Sequence, residues 1–271
     1  MKKKHIYQSK ELDSFGCAQY SVEENQTWAF LLNRQKDLAQ GRASKEFLKG
    51  VELLSFSEKI PQHAEVTAIL KSHTGWRVSP VPALIQPELF FSLLSQKKFP
   101  AANFNRITEE SDYIEEPDVF HELYGHCPLL TNAPYAEFMH QFGKLALSAD
   151  SKTQMRLFRL FWFTIEFGLI RESGELKAYG GGILSSKSEI IYSVESPIAQ
   201  RMPLDPLVAL RTPFRIDILQ PLYFVIESFD ELFKLIEKKP IELAKISMTL
   251  PDFPARFEKR KKTKKKNNED K

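Results

Sequence analysis

The chain has 271 residues, of which 42% are hydrophobic and 27% charged, an ordinary composition for a folded globular protein. Its two cysteines, Cys17 and Cys127, are too few for a disulfide framework. No run approaches the roughly 18 apolar residues of a membrane span, and no apolar segment follows the basic N-terminus as in a secretory signal. We therefore expect a soluble, cytoplasmic protein with no membrane partner.

The net charge of +3 comes from one end of the chain. Residues 256–271 hold nine Lys or Arg against three acids, and subtracting this local +6 leaves −3 for the remainder. Such a block can bind nucleic acid or anionic lipid. The interpretation we favour is a disordered, solvated tail without a nucleic-acid partner. The predicted organisation is an N-terminal extension over 1–20, one folded domain over 21–255, and a disordered Lys-rich tail over 256–271.

Helical periodicity dominates the folded part. Ser21 and Glu24 have the spacing of a capping box, apolar residues follow at helical intervals, and Gly41 is a natural stop. The same criteria predict further helices over 44–54, 61–71, 87–94, 117–125, 134–147, 153–171 and 228–238, and a last one opened by Pro240.

Extended structure is a minor component. Pro80 and Pro82 make residues 76–84 extended or looped, and periodicity fades over 99–116, which predicts a long loop of the kind that often carries function. Residues 177–184 and 189–194 flank Ser185-Ser-Lys-Ser188 and predict a β-hairpin. The fold class is therefore mainly α with a small β-hairpin or sheet, in a single domain.

Two of the six histidines lie in His121-Glu-Leu-Tyr-Gly-His126. This spacing is one residue too long for the H-E-x-x-H zinc pattern, and side chains five apart on an ideal α-helix point about 140° apart. Both rings can bind one metal if the helix ends or bends between them, as Gly125 and Pro128 favour. The alternative is a pair of structural histidines, one buried and one exposed.

Glu166 lies among apolar and aromatic neighbours in Leu160-Phe-Trp-Phe-Thr-Ile-Glu-Phe-Gly-Leu169. A buried carboxylate must be protonated, paired or bound to a cation. A salt bridge to Arg159 or Arg171 would satisfy it. Equally, two histidines and one core carboxylate form the 2-His-1-carboxylate set of non-heme Fe(II) oxygenases.

Four blocks of the sequence resemble, in order, the pterin-dependent aromatic amino acid hydroxylase family. The blocks are Glu116–Pro128, Phe161–Leu169, Lys177–Ser186 and Gln220–Tyr223, and matches run from about Trp28 to about Leu235. The resemblance implies the family's single-domain catalytic fold and a monooxygenase that uses Fe(II), O2 and a tetrahydropterin (tetrahydrobiopterin or a related pterin). It also implies that His121, His126 and Glu166 are the iron ligands and catalytic centre.

The resemblance extends to the two organic ligands. For the pterin it implies stacking on Phe90, contacts with Ala83, Leu84 and Ile85, and a nearby Glu122. Without it, Phe90 would be assigned to core packing and Glu122 to a solvated helix face. For the amino acid it implies a carboxylate clamp at Arg106, apolar walls at Pro117 and Trp162, and closure by Gly182 and Ser185. Without it, Arg106 could equally be a surface cation on a loop.

The choice of substrate depends on smaller differences. Ile216 matches a position that is aliphatic in the family's phenylalanine hydroxylases and acidic in its tyrosine hydroxylases, which favours L-phenylalanine. Ile114 stands where many members have a threonine that contacts the amino acid, and Phe161 where many have tyrosine. The expected partners are L-phenylalanine, O2 and the pterin, with the protein as a monomer or a dimer.

Three rival functions remain at this point. They are a tryptophan hydroxylase on the same scaffold, a zinc hydrolase, and a non-enzymatic protein that binds through the basic tail.

Overall fold

The computed structural model describes residues 7, 9–14, 16–82, 84–112 and 116–258. Within them the predicted class, mainly α with a small β component, is confirmed. From residue 259 onward the predicted tail lies outside the described residues, as does part of the predicted N-terminal extension. The helices are α1 (Val22–Ala39), α2 (Lys45–Leu54), α3 (His63–Thr74), α4 (Pro87–Ser95), α5 (Ala133–Leu147), α6 (Ser151–Phe161), α7 (Gly181–Leu184), α8 (Lys187–Glu195), α9 (Pro206–Arg211), α10 (Phe229–Glu237) and α11 (Pro240–Thr249).

The start of α1 is set by its local sequence. Ser21 Oγ accepts a hydrogen bond from the backbone N–H of Glu24, and the Glu24 carboxylate accepts one from the N–H of Ser21. This is the predicted capping box, which satisfies two N–H groups that the helix itself cannot pair. On the buried face of α1, Gln35 donates a 2.8 Å hydrogen bond to the carbonyl of Leu184. The contact joins α1 to α7, next to the cavity described below.

Six short strands form two sheets. In the first, β1 (Arg77–Val81) pairs in parallel with β2 (Lys98–Ala102). The second has the order β4-β3-β6-β5 and contains β3 (Gly168–Glu172), β4 (Glu175–Ala178), β5 (Gln200–Pro203) and β6 (Leu222–Ile226). The long loop predicted over 99–116 therefore begins as a strand, and it contains a short 3₁₀ turn at Thr108–Glu110.

The β-hairpin predicted over 177–194 is wrong. The hairpin is instead β3–β4, closed by Ser173 and Gly174, which both have positive φ. Residues 181–184 and 187–195 are the helices α7 and α8, and Ser186 caps α8. Gly182 and Ser185 therefore belong to the α7 region and not to a hairpin. The sequence misleads because its aromatic and β-branched residues suit strands, whereas long-range packing decides the outcome.

The helix predicted over 153–171 is too long. The regular helix α6 ends at Phe161, residues Trp162–Glu166 form one π-helical turn that we call π2, and β3 begins at Gly168. The backbone N–H of Phe167 donates to the carbonyl of Trp162, five residues back. Because β3 pairs with both β4 and β6, sheet formation outweighs the helical pattern of this apolar run.

A continuous apolar cluster joins these elements, from Trp28 on α1 to Ala244 on α11. Cys17 and Cys127 are both free thiols, and Cys127 is buried. None of the helices in the described part of the chain is both long enough and apolar enough to cross a membrane.

Candidate metal and substrate site

The two histidines of the predicted pair face one another. His121–His126 is a π-helical turn, which we call π1, and it leads into a 3₁₀ turn at Cys127–Thr131. The i→i+5 hydrogen bonding of a π-helix brings residues five apart to the same side, so the helix does not need to end between them. The two Nε2 atoms are 3.1 Å apart, and His126 is almost fully buried whereas His121 is partly exposed.

Glu166, the last residue of π2, completes the group. Its Oε1 lies 3.3 Å from His126 Nε2 and its Oε2 lies 3.7 Å from His121 Nε2. One donor atom from each side chain fits within 4.8 Å of the others. The alternative salt bridges are not formed, because Arg159 pairs with Asp252 and Arg171 with Glu227.

The hydrogen bonds around His121 define its tautomer. Ser185 Oγ donates its only proton to the carbonyl of Gly181 at 2.8 Å and lies 2.9 Å from His121 Nδ1. Nδ1–H must therefore be the donor to Ser185, which leaves the lone pair of Nε2 facing Glu166. Burial lowers the pKa of His121 to about 4, against the opposing effect of Glu166, so the ring is neutral near pH 7. Burial would raise the pKa of Glu166, yet His126 and His121 hold it below its usual value.

This donor set fits a divalent metal. Two nitrogen atoms 3.1 Å apart with a carboxylate beside them can bind one cation together. Neutral imidazoles and an ionised carboxylate are the forms that bind metals. Iron in a facial triad is held by this combination of side chains, with positions left open for other ligands.

Gly181 permits the close packing behind His126. A Cβ at this position would lie 2.3–2.6 Å from atoms of the His126 ring, too close for any side chain. α7 thus rests directly on the histidine and also presents the carbonyl that accepts from Ser185. A Cβ at Gly180 or Gly182 would likewise meet the Glu166 carbonyl, at 2.3 and 3.0 Å, so the glycines of this block allow close packing against both metal-binding turns.

The partly exposed side of the triad opens into a cavity of about 490 Å³, within the usual range for small-molecule sites. With the exception of His126, which is buried behind His121, every predicted site residue that the structure describes lines this cavity. The predicted site residues among its lining are Leu84, Ile85, Phe90, Arg106, Pro117, His121, Glu122, Trp162, Glu166, Gly182 and Ser185. Ala83 and Ile114 lie outside the described residues.

The end of the cavity at Phe90 is aromatic. Phe90 is not a fully buried core residue, and its ring meets Phe158 and Phe161 edge to face, at centroid distances of 5.9 and 5.1 Å. Glu122 nearby is buried rather than solvated. Burial, reinforced by the negative charges of Glu166 and Asp118, raises the pKa of Glu122 well above its usual value, so this carboxyl can donate a proton in a hydrogen bond.

Arg106 is buried rather than on the surface, with 4% of its area exposed. Its Nε and Nη2 donate to the two carboxylate oxygens of Asp118 at 2.8 and 2.7 Å. Although burial opposes ionisation, this guanidinium lowers the pKa of Asp118. The bidentate pair fixes the plane of the guanidinium at the cavity wall, as recognition of a carboxylate requires.

A wall of aromatic rings is centred on Trp162, the first residue of π2. The Trp162 ring is 4.5 Å from Phe167 and 4.4 Å from Phe214, centroid to centroid. Ile216 is 54% exposed and lines the same cavity. Beside it, the Asp217 carboxylate forms two hydrogen bonds with Arg215.

Sequence reasoning missed three buried polar residues. Asp118 and Gln220 lie within two of the family blocks but carry no predicted role, and Glu189 begins a segment predicted to be a strand. Glu189 has the spacing of a capping-box glutamate after Ser186, which gives no sign that its carboxylate points inward. A signal for Asp118 did exist, because a buried arginine needs a carboxylate, but the burial itself is a tertiary fact.

A mainly helical fold with three metal-binding side chains at one side of an aromatic cavity is typical of a non-heme metal enzyme. Residues 3–252 match the family model described as biopterin-dependent aromatic amino acid hydroxylase, so the chain belongs to that family.

Individual relatives agree with this assignment. The chain is 47% identical over 254 residues to a phenylalanine-4-hydroxylase of Pseudomonas aeruginosa, covering 92% of this chain and 96% of that protein. The phenylalanine hydroxylase of Legionella pneumophila has a similar structure, with a TM-score of 0.89, 47% identity, and coverage of 92% and 100% of the two chains. The enzyme of Chromobacterium violaceum, solved with bound iron(III) and 7,8-dihydrobiopterin, matches with a TM-score of 0.83 and 39% identity, over 88% and 86%.

Proposed function

We propose that this protein is a phenylalanine 4-monooxygenase, which hydroxylates L-phenylalanine to L-tyrosine with Fe(II), O2 and a tetrahydropterin. The observation that carries the proposal is the group His121, His126 and Glu166, with donor atoms within 4.8 Å, at the wall of an aromatic cavity. Relatives named phenylalanine-4-hydroxylase, at up to 47% identity, support the reaction.

The three side chains hold the iron. Iron and the reduced pterin together supply the activation of dioxygen, a reaction that amino acid side chains do not perform alone. His121 keeps its Nε2 lone pair for the metal because its Nδ1–H donates a hydrogen bond to Ser185 Oγ. Stacked rings around the cavity exclude water from the reacting centre.

Arg106 binds the carboxylate of the amino acid. Its Nε–H and one N–H of Nη2 are already committed to Asp118, so the two N–H groups of Nη1 and the second N–H of Nη2 are left for the substrate carboxylate. The phenyl ring lies between Pro117 and Trp162, and Gly182 and Ser185 close over the amino acid. Ile216 offers the ring an apolar contact and no acceptor for a phenolic hydroxyl, which favours phenylalanine over tyrosine.

The pterin, tetrahydrobiopterin or a related molecule, stacks on Phe90. The backbone of Ala83, Leu84 and Ile85 contacts its edge. The Glu122 carboxyl, whose pKa burial raises, hydrogen-bonds a ring heteroatom.

We further propose that residues 21–255 form the catalytic domain and that the enzyme works in the cytoplasm. Its partners are L-phenylalanine, O2 and the pterin, without nucleic acid or membrane, and it acts as a monomer or a dimer. The Lys-rich segment then has no part in activity, and deletion of residues 259–271 should leave turnover unchanged.

The test is incubation of the protein with Fe(II), tetrahydrobiopterin and O2, with phenylalanine, tyrosine and tryptophan in competition. We expect tyrosine from phenylalanine, one pterin oxidised per product, and zinc in place of iron to abolish turnover. Preferential hydroxylation of tryptophan would redirect the assignment to the rival on the same scaffold. Absence of any hydroxylated amino acid in the iron-loaded protein would refute the function.

A further inference from the structure

Gln220 lies behind the aromatic wall with every side-chain polar atom in use. It is 1% exposed. Its Oε1 accepts a 3.2 Å hydrogen bond from the indole Nε1–H of Trp162. Its Nε2 donates to the carbonyls of Arg215 and Ile218, at 2.8 and 3.0 Å. One amide therefore ties the tryptophan ring to the segment 215–219, whose residues Ile216–Leu219 line the cavity.

Glu189 holds Gln220 in turn. The backbone N–H of Gln220 donates to Glu189 Oε1 at 2.9 Å, and the Tyr223 hydroxyl donates to the same oxygen in a short hydrogen bond. Glu189 is 5% exposed, on α8, and Tyr223 is buried in β6. The carboxylate thus fixes Gln220 relative to both a helix and a strand of the sheet.

Trp162 needs such a partner for a geometric reason. Phe167 and Phe214, on the ring at 4.5 and 4.4 Å, restrict the plane of the indole. Stacking leaves a flat ring free to slide and to flip within that plane, because offset arrangements differ little in energy. The indole N–H is the one polar group of the side chain, so its hydrogen bond to Gln220 selects a single orientation.

We propose that Gln220, held by Glu189, is a positioning residue for the phenylalanine pocket: it orients Trp162 and holds the segment 215–219 against the substrate ring. This inference rests on the proposed function. Gln220 touches neither the iron ligands nor the reacting atoms, so its effect falls on amino acid binding and on the fraction of pterin oxidation that yields tyrosine. The pterin end, at Phe90, is unaffected.

The central test compares Gln220→Leu with the matched control Gln154→Leu. Gln154 is also buried, and it lies on the N-terminal part of α6, away from the cavity lining. Its side chain donates a single hydrogen bond, to the carbonyl of Ala149. Binding of L-phenylalanine to the iron-loaded protein is measured by calorimetry without oxygen, followed by KM for each substrate and tyrosine formed per pterin oxidised. For Gln220→Leu we expect the Kd for phenylalanine to rise about tenfold, because the Trp162 indole loses the acceptor that orients it and the segment 215–219 loses two hydrogen bonds. The tyrosine yield should fall, and KM for the pterin should change less than about twofold.

A double-mutant cycle asks whether Gln220 acts through Trp162. In a Trp162→Phe background the indole N–H is gone, so Gln220→Leu should weaken phenylalanine binding less than it does in the unmodified protein. Equal losses in both backgrounds would overturn the role assigned to the Trp162–Gln220 bond.

Substitutions of Glu189 provide a second test if Gln220→Leu fails to fold. Glu189→Gln keeps an acceptor for both the Gln220 N–H and the Tyr223 O–H, whereas Glu189→Leu keeps none. The first should bind phenylalanine normally and the second weakly. In the zinc-substituted full chain, the indole N–H resonance of Trp162 should move in Glu189→Leu while those of Trp28 and Trp76 stay in place.

Two failures are distinguishable. An unmodified protein that makes no tyrosine rejects the proposed function. A protein that makes tyrosine, but in which Gln220→Leu binds phenylalanine as tightly as Gln154→Leu does, rejects the positioning role alone.

Discussion

The metal site and the aromatic wall of the cavity are held by different means. The metal-site side chains His121, His126 and Glu166 lie on the two π-helical turns π1 and π2, whose backbone geometry directs them toward one another. Trp162 begins π2, four residues before Glu166, but the orientation of its ring depends on the hydrogen bond that its indole N–H donates to Gln220, which Glu189 holds from a separate helix. The metal site therefore rests on two helical turns, whereas the aromatic wall joins residues 162, 189 and 220.

This difference determines which substitutions each part of the cavity tolerates. Metal ligands tolerate no replacement, because each supplies a donor atom that nothing else can supply. Removal of a buried polar partner leaves the rings of the aromatic wall present, but they are no longer held in a single orientation. The four predictions below test this contrast. They are ordered by the size of the effect that we expect, beginning with the greatest.

Removal of a metal ligand should have the largest effect. We expect His121→Ala or Glu166→Ala to lose bound iron and all measurable turnover while the fold, followed by circular dichroism, survives. His140→Ala is the control, because His140 bonds only to the carbonyl of Ser95 and to Glu137, away from the triad. Stoichiometric iron in either ligand variant would contradict the assignment.

Removal of one partner of the buried Arg106–Asp118 ion pair should have the second largest effect. Arg106→Leu leaves Asp118 charged and 0% exposed, which should cost about 3–5 kcal/mol of unfolding free energy. The double variant Arg106→Leu/Asp118→Leu should recover much of that stability but not phenylalanine binding. Lys49→Ala removes an exposed ion pair and should change stability by less than about 0.5 kcal/mol, measured by urea unfolding. A fully stable single variant would count against a structural role for the pair.

The carboxylate behind the aromatic wall should leave a signature in the pH dependence of stability. Burial raises the pKa of Glu189 from 4.5 to about 7, even though hydrogen bonds from Tyr223 and Gln220 oppose the shift. The folded state therefore holds this proton more tightly than the unfolded state does, so stability is full below pH 4.5 and falls as the pH rises through 7. Relative to Glu189→Gln, the unmodified protein should lose about 2–3 kcal/mol between pH 5 and pH 8. Parallel stability curves for the two proteins would refute the shift.

Truncation at the pterin end should have the smallest effect. Phe90→Ala removes a ring that only partly belongs to the core, and the proposed stacking predicts a rise of about tenfold in KM for the pterin. KM for phenylalanine should stay within about twofold, the reverse of the Gln220→Leu pattern. Leu89→Ala, an exposed neighbour on the same helix, is the matched control. A rise confined to KM for phenylalanine would instead assign Phe90 to amino acid binding.

Much of the fold followed from local patterns. The capping box at Ser21 and Glu24, the proline starts at Pro87 and Pro240 and the end of α1 just before Gly41 all lie where the residues predicted them. These signals act within one helical turn, so no distant contact is needed to interpret them. The hairpin error arose where two short segments, 177–184 and 189–194, suited strand and helix equally, and packing against the remainder of the fold chose the helix.

The sequence by itself determined the chemistry: two histidines five residues apart and a lone carboxylate in an apolar run indicated a metal centre, and the four blocks indicated the family. Only the tertiary structure decided how those ligands meet, because the π-helical turns that align them leave no distinct periodicity in the sequence. It alone also revealed the partners of the buried polar groups, Asp118 for Arg106 and Glu189 for Gln220. A side chain's need for a partner can be inferred from its own chemistry, but the identity of that partner depends on which distant segments fold against it.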